Sequence, residues 1–436
     1  MNAGEQTRAV VRWIAARSPR QILCVGWIVF GLGAYPGYMT TDGVLQLYTV
    51  RSGDYSDYSP VMSAIWGALE YIVSGPFPML ALQSGLFLFG LQALLARILT
   101  PRAAALTAIG VLMVPPVYSV MAVIWPDALM AGALLAGCAA ALDTRRSWKV
   151  FGAVLIAIAI ACRPDVKLAV IPLAFAVVPA QVWWRRTAIA VGLALGLSVV
   201  AGFANWALYI VDTHTPQQLA YVDVTGTMRR AKLKKIEVLD AAFAGVPIVD
   251  HSTFKTQLLA ASDALNWRPL IFGDKRLFEP ILTDEQETAL AADRRAVITH
   301  HTKAYLVHRW AMTRALLEIT GAGPQIVDDF GDFDLLAPLH HRASSSDWQR
   351  DWQVVVRWTA PLFRPWIWLV LAIVAIVLAR RRPLLRVFAI SGVVYEVVMC
   401  FLAPAGEYRY SHWLVTTACI TLAALAVARK WARPAA

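Results

Sequence analysis

The sequence predicts an all-α polytopic membrane protein whose chemically equipped side faces away from the cytoplasm. Three observations carry that expectation. Of the 436 residues, 58% are hydrophobic and only 16% charged, with a positive mean hydropathy, too little polar surface for a soluble chain of this size. Apolar runs of about 15 to 25 residues recur along the chain, the length a bilayer demands of a helix. Lysines and arginines fall in short clusters between those runs, as in proteins that fix their orientation by basic cytoplasmic loops. The net charge of +11 is therefore read as topology, and nucleic acid is not expected as a partner.

Arg8, Arg12, Arg17 and Arg20 place residues 1–20 in the cytoplasm as a basic N-terminus. The first apolar run reads as a retained helix, because no small-residue cleavage site precedes a hydrophilic domain. Residues 21–211 form a transmembrane module with a first outer loop at 42–77. Its spans are about Gln21–Thr41, Pro78–Leu99, Ala103–Ala122, Pro126–Leu142, Val150–Cys162, Val166–Trp184 and Thr187–Val211. Residues 212–365 follow as one larger outer, periplasmic segment. Residues 366–428 supply Trp366–Ala379, Leu384–Ala403 and Ser411–Ala428, and 429–436 are a cytoplasmic tail, for about ten transmembrane helices in all. Ser59–Ser74 and His300–Ile319 read as amphipathic helices at the outer interface; if both spanned, the count would be twelve.

Charge tests the threading. Arg97 and Arg102, Arg145, Arg146 and Lys149, Arg185 and Arg186, Arg380 to Arg382 and the tail all land inside. That places both termini in the cytoplasm and the protein in the inner (plasma) membrane. Asp42, Asp54, Asp57, Asp127 and Asp165 land at the outer face with Arg163, Lys167 and Arg409. A membrane scaffold has no reason for that asymmetry; a site on the outer face does.

The residues then divide by chemistry. Asp42 follows the first span, where a half-desolvated carboxylate becomes a stronger base; it equally suits the cap of a helix over Gly43–Val50. Asp54 and Asp57 lie in the Gly- and Ser-containing turn that follows. Trp125-Pro126-Asp127 opens a helix, with Pro and an acid in the first turn as ordinary helix-start chemistry. Arg163-Pro164-Asp165-Val166-Lys167 offers cations for phosphate, an internal pair with Asp165, or a snorkelling Arg. Glu407-Tyr408-Arg409-Tyr410 reads either as an interfacial belt or as a phosphate clamp beside a lipid groove that includes Glu396, an acid deep enough to need a cavity or a partner such as Arg409. The basic run Arg229 to Lys235 reads as a solvated face or a contact for anionic headgroups. The five cysteines sit in or at the ends of apolar runs without metal-ligand spacing, and His300, His301, His308, His340 and His341 match no common zinc pattern. No metal site is expected. Nucleotide, hydride-transfer and zinc-protease signatures are missing.

In order, these elements resemble the GT-C membrane glycosyltransferases, which use polyprenyl-phosphate sugars as donors. An acid follows the first helix (Asp42). Gly53-Asp-Tyr-Ser-Asp57-Tyr-Ser-Pro60 comes next, then an acid opening a later helix (Asp127), Arg163-Pro164 between two helices, and a terminal Arg409-Tyr410. The stretch from Tyr35 to Asp57 is similar to a bacterial branch of that superfamily, and Lys303 to Arg309 resembles a recurring element of such proteins. The likeness covers about residues 20–185 well and the rest in outline. One departure stands out: Ser59 occupies a place where many relatives carry a His or Lys suited to the donor phosphate.

The resemblance implies sugar transfer on the periplasmic or extracellular face, with inversion, in modification of a cell-envelope glycan or glycoconjugate. The donor is a polyprenyl-phosphate sugar, and the acceptor a glycan, lipid or protein. Asp42 is the implied base. Arg163, Arg409 and Lys167 bind the donor phosphate. Asp127, with Asp54 and Asp57, orients the acceptor or a cation, and Tyr408, Tyr410 and Glu396 line the lipid groove. No cofactor is expected, although a divalent cation (Mg or Mn) is compatible. Competing classes are a lipid or polysaccharide transporter or flippase, a polysaccharide polymerase, and a non-catalytic assembly subunit. The first of these calls for internal repeats, and none is evident here.

Overall fold

The computed structural model describes residues 16–55, 59–178, 182–209, 217–232, 241–246, 248–250, 256, 258, 268–271, 276–279, 282–319 and 347–431. Among them the secondary structure is helical, with isolated bridges in place of strands. The first helix, α1 (Pro19–Ala34), opens on Ser18, whose hydroxyl accepts from the Gln21 amide while the Gln21 side chain accepts from the Ser18 amide, a reciprocal cap. It ends earlier than the apolar run. Pro36 lacks an amide hydrogen and forces Tyr35 into an extended conformation. Thr41 and Asp42 therefore belong to the next helix, α2 (Thr41–Ser52). Thr40, not Asp42, holds its cap position.

The stretch after α2 leads into α3 (Pro60–Glu70). The Arg51 Nε and Nη2 donate to Glu70 at 2.9 and 2.7 Å, and the other Glu70 oxygen accepts from the Gly75 amide at 2.9 Å. One face of α3 is buried, including Met62 and Trp66. Next come α4 (Phe77–Leu95), α5 (Pro101–Leu112) and α6 (Pro115–Met121). The single run expected over Ala103–Ala122 is broken: α5 and α6 bend by 77° where Pro115 and Pro116 interrupt the helical hydrogen bonds.

Five more helices follow: α7 (Pro126–Ala141), α8 (Arg146–Cys162), α9 (Lys167–Val177), α10 (Trp183–Leu208) and α11 (Gln217–Arg230). Helix α7 is built of Ala, Gly, Leu and Met and is buried almost all round between α4 and α8, as an apolar helix without a polar face requires. Helix α10 exposes most of its length, including Val199, Phe203 and Trp206.

The chain continues with α12 (Asp284–His300) and α13 (Thr302–Leu316), and α14 (Asp347–Trp358) leads to α15 (Pro365–Leu378), α16 (Pro383–Leu402) and α17 (His412–Trp431). Among the described residues four helices are long and apolar enough to cross a membrane, or five if the bent pair is one span, and α1 and α7 are shorter apolar helices. Two cores form: one runs through the apolar helices, and a smaller one joins α11, α12 and neighbouring residues.

Candidate functional site

Two loops are stitched together near the ends of α1 and α6. Tyr38 donates its amide to Ala122 and accepts from Ile124, both at 2.9 Å. The buried Gln83 of α4 holds the second loop, its amide donating to the carbonyls of Met121 and Val123 at 2.9 and 2.7 Å. Gly37 sits at φ +111°, where a Cβ would lie 2.9 Å from Ile124, so both the turn and the close approach need glycine. The Trp125 indole then donates to the Thr40 hydroxyl at 2.8 Å. Asp42, in the first turn of α2, and Asp127, in the first turn of α7, are brought to the same end of the molecule by these contacts.

Arg163 is placed by the break between α8 and α9. Pro164 starts a single 3₁₀ turn, Pro164–Val166, and Asn205 of α10 braces the junction. The Asn205 amide donates to Ala161 at 2.9 Å and its carbonyl accepts from the Val61 amide at 3.3 Å. Arg409 lies on a second 3₁₀ turn, Tyr408–Ser411, between α16 and α17. From below, the Ser411 hydroxyl donates to Glu396 of α16 at 2.9 Å.

The guanidinium of Arg409 forms an ion pair with Asp42 and another, 2.6 Å long, with Glu407. It also lies over the Trp125 ring, 4.9 Å from its centre, and 5.2 Å from the centre of the Tyr410 ring. Arg163 reaches the same Tyr410 ring at 5.1 Å. It pairs with Asp127 at 3.3 Å and with Asp165 at 3.8 Å. Tyr410 is thus shared by two arginines, each carrying its own carboxylates, and such contacts hold a guanidinium plane in register. The two main acids differ in access. The Asp42 side chain is 20% exposed, whereas that of Asp127 is 1% exposed and neither of its oxygens accepts a hydrogen bond from the described residues.

Four residues singled out in the sequence, Asp42, Asp127, Arg163 and Arg409, therefore meet. Others do not join them. Asp54 is exposed beyond α2, its amide bonded to the Ser52 hydroxyl. Lys167 is exposed at the start of α9 and forms no ion pair among the described residues. Asp57 lies outside the described residues. Tyr408, Tyr410 and Glu396 are buried rather than presented to lipid, because their polar atoms have inward uses: the Tyr408 hydroxyl donates to Pro116 at 3.4 Å, Tyr410 packs between the arginines, and Glu396 holds Ser411 instead of Arg409. Trp125, Asp165 and Glu407 join the site as well, Asp165 as the pair for Arg163 that its motif offered and the other two without an expected role. All three lie inside the motifs that flagged their neighbours.

A second charged centre lies among α11, α12 and α13. Asp223 of α11, buried at 1% exposure, accepts from Arg294 of α12 at 2.8 Å and pairs with Arg309 of α13. His308 lies 3.7 Å away. Burial, and then the charges of Arg309 and Arg230, push its imidazole down to about 3, so His308 is neutral at physiological pH. Gly226 leaves the space its ring occupies, since a Cβ there would collide with it. His300 and His301 end α12 away from this centre, and His340 and His341 lie outside the described residues. Among the described residues no group of three or more His, Cys, Asp or Glu is placed to hold a metal ion. Arg229 and Arg230 are exposed at the end of α11.

No protein family matches the chain, and no curated protein matches it in sequence. Among solved structures it is similar to a crystal structure of ArnT from Cupriavidus metallidurans in the apo state, at 13% identity and a TM-score of 0.34, over 96% of this chain and 78% of that one. A likeness that slight carries no functional weight, so function has to be argued from the residues of the site.

Proposed function

We propose that the protein is a membrane glycosyltransferase of GT-C type. It transfers a sugar from a polyprenyl-phosphate donor to an acceptor hydroxyl on the periplasmic or extracellular face. The observation that supports this reading is the meeting of Asp42, Asp127, Arg163 and Arg409 around Tyr410, drawn from four separate parts of the chain. A donor carried by a membrane lipid needs no nucleotide pocket. It needs cations for its phosphate and a carboxylate for the proton of the acceptor.

The chemistry assigned to the site is a single displacement. The acceptor oxygen attacks the anomeric carbon as the bond from that carbon to the phosphate oxygen breaks. The electron pair leaves with polyprenyl phosphate, and the acceptor proton passes to Asp42. Arg163 and Arg409 stabilise the charge that grows on the leaving phosphate. Asp42 is preferred over Asp127 as base because it is the more exposed of the two. Donor phosphate competes for Arg409, so its arrival draws the guanidinium from Asp42 and makes that carboxylate a better base. Asp127 fixes Arg163 and orients the acceptor.

Incubation of the purified protein with a panel of polyprenyl-phosphate sugars, reading release of polyprenyl phosphate, tests the assignment. Release with at least one donor is expected; a folded protein that releases none from the whole panel rules the proposal out. The outer-face location is tested separately. Reporter fusions at Arg145 and at Asp284 should report opposite sides of the membrane, and the same side for both would overturn the orientation.

A further inference from the structure

The chain leading to the turn that carries Arg409 is held from the 212–365 segment by Arg309. Arg309 is 3% exposed, and its guanidinium is engaged at both ends. Nη2 pairs with Asp223 of α11, and Nη1 donates to the carbonyl of Ala403 at 3.0 Å. Ala403 caps α16, so the guanidinium sits where a helix collects partial negative charge on its last carbonyls. One turn further along α13, the Thr313 hydroxyl donates to Cys400 of α16 at 3.3 Å. From Ala403 the chain runs through buried Ala405 and Tyr408 directly to Arg409. Helix α13 also packs against the Tyr408–Ser411 turn itself.

We propose that Arg309 is a positioning residue, a brace anchored on Asp223 that holds the 403–411 segment so that Arg409 meets the donor phosphate; this rests on the donor reading given above. A guanidinium suits the task because its planar fork serves a carboxylate and a carbonyl at once. A lysine in its place reaches one partner or the other. The outer segment thereby contributes to the site without touching substrate. It follows that a loosened α11–α13 contact is felt at Arg409, and that Glu396, which holds Ser411 from the opposite side, leaves Ala403 unsupported.

The test uses the full chain in detergent micelles, with Arg309→Lys and the milder Thr313→Val as variants. Hydrogen exchange is followed by peptide, and undecaprenyl phosphate serves as the binding probe. For Arg309→Lys we expect faster exchange confined to 403–411 with α4 unchanged, and affinity for the probe lowered about fivefold, the size of one lost hydrogen bond. Thr313→Val should shift both in the same direction by less, and it carries the test should Arg309→Lys not fold. In an Arg409→Ala background neither substitution should weaken binding further, because a residue acting through Arg409 has nothing left to position. Unchanged exchange over 403–411 would overturn the brace. Equal losses in both backgrounds would overturn positioning through Arg409 and leave a purely structural contact. Equal probe binding by wild type and Arg409→Ala would remove the donor reading instead, and the exchange result alone would then decide the brace.

Discussion

Asp127 and Asp223 are both carboxylates with 1% exposure beside arginine, yet they are built for different ends. Asp223 is the better supplied, although its second oxygen, like both oxygens of Asp127, accepts no hydrogen bond among the described residues. One oxygen accepts from Arg294 at 2.8 Å, the other pairs with Arg309, and the far end of Arg309 is spent on a helix carbonyl. Asp127 is under-supplied. Its nearest cation is Arg163 at 3.3 Å, and neither oxygen accepts a hydrogen bond. Arg163 in turn faces an aromatic ring that it shares with Arg409. A buried charge left short of donors costs stability. Proteins keep such groups where a ligand or a reacting atom completes them, so sparser pairing beside aromatic walls marks the site, and pairing with two arginines marks the joint.

The sharpest way to break this contrast is to substitute one acid from each region. Asp42→Asn removes the proton acceptor but keeps shape, and the cap of α2 belongs to Thr40. Turnover should fall about 10²–10⁴-fold, the range for a lost general base, with near-normal donor binding and an unchanged unfolding midpoint. Sugar transfer at close to the wild-type rate would hand the role of base to Asp127. Asp223→Asn should do the opposite. It leaves the buried Arg309 without its carboxylate, and breaking a buried pair costs on the order of 3–5 kcal/mol. Thermal or denaturant unfolding should register that loss, and an unshifted midpoint would mean that the outer centre is no joint at all.

Arg409 sharpens the same comparison from the cationic side. Arg409→Ala should weaken donor binding by about tenfold or more, on the order of 1.5–3 kcal/mol for a charge-assisted contact, while the fold persists because Trp125 and Tyr410 still pack. Arg409→Lys should recover only part of that affinity, since a point charge cannot replace a planar fork. Titration with a polyprenyl phosphate distinguishes the two, and equal affinity in both variants and the wild type would make Arg409 structural, like Arg309.

The smallest expected effect lies in the outer segment. Burial raises the Asp293 carboxyl to about 6, and one of its oxygens is buried without a hydrogen-bond partner. Its folded value lies above its unfolded one, so the folded state binds the extra proton. Stability therefore declines as pH rises from about 4 to about 6. Asp293→Asn should raise the unfolding midpoint by a few degrees at pH 7 and leave it unchanged near pH 3.5. A lower midpoint at pH 7 would show instead that the ionised carboxylate is supported.

What was legible in the sequence follows from how local each signal is. Apolar runs mark helices because burial and bilayer length act on consecutive residues, so most runs from Pro78 to Val211 and from Trp366 to Ala428 coincide with helices within a few residues; the exceptions are Ala103–Ala122, broken at Pro115 and Pro116, and Val166–Trp184, whose helix ends at Val177 while Trp183 and Trp184 begin the next. Asp42, Asp127, Arg163 and Arg409 were each visible as chemistry at a helix end. Their meeting was not. Arg409 and Asp42 are 367 residues apart, and their pairing depends on Gln83, Tyr38 and Trp125 stitching two loops together. Asp223 gave no signal, because a lone acid in a polar stretch looks solvated until α12 and α13 close over it. Nor did spacing reveal that Glu396 serves Ser411 and that Tyr410 is shared by two arginines. Composition and periodicity settle which segments are helical and apolar, because those are sums over neighbours along the chain. Which charges are completed and which are left open is decided only when distant helices pack, because desolvation and pairing are properties of neighbours in space.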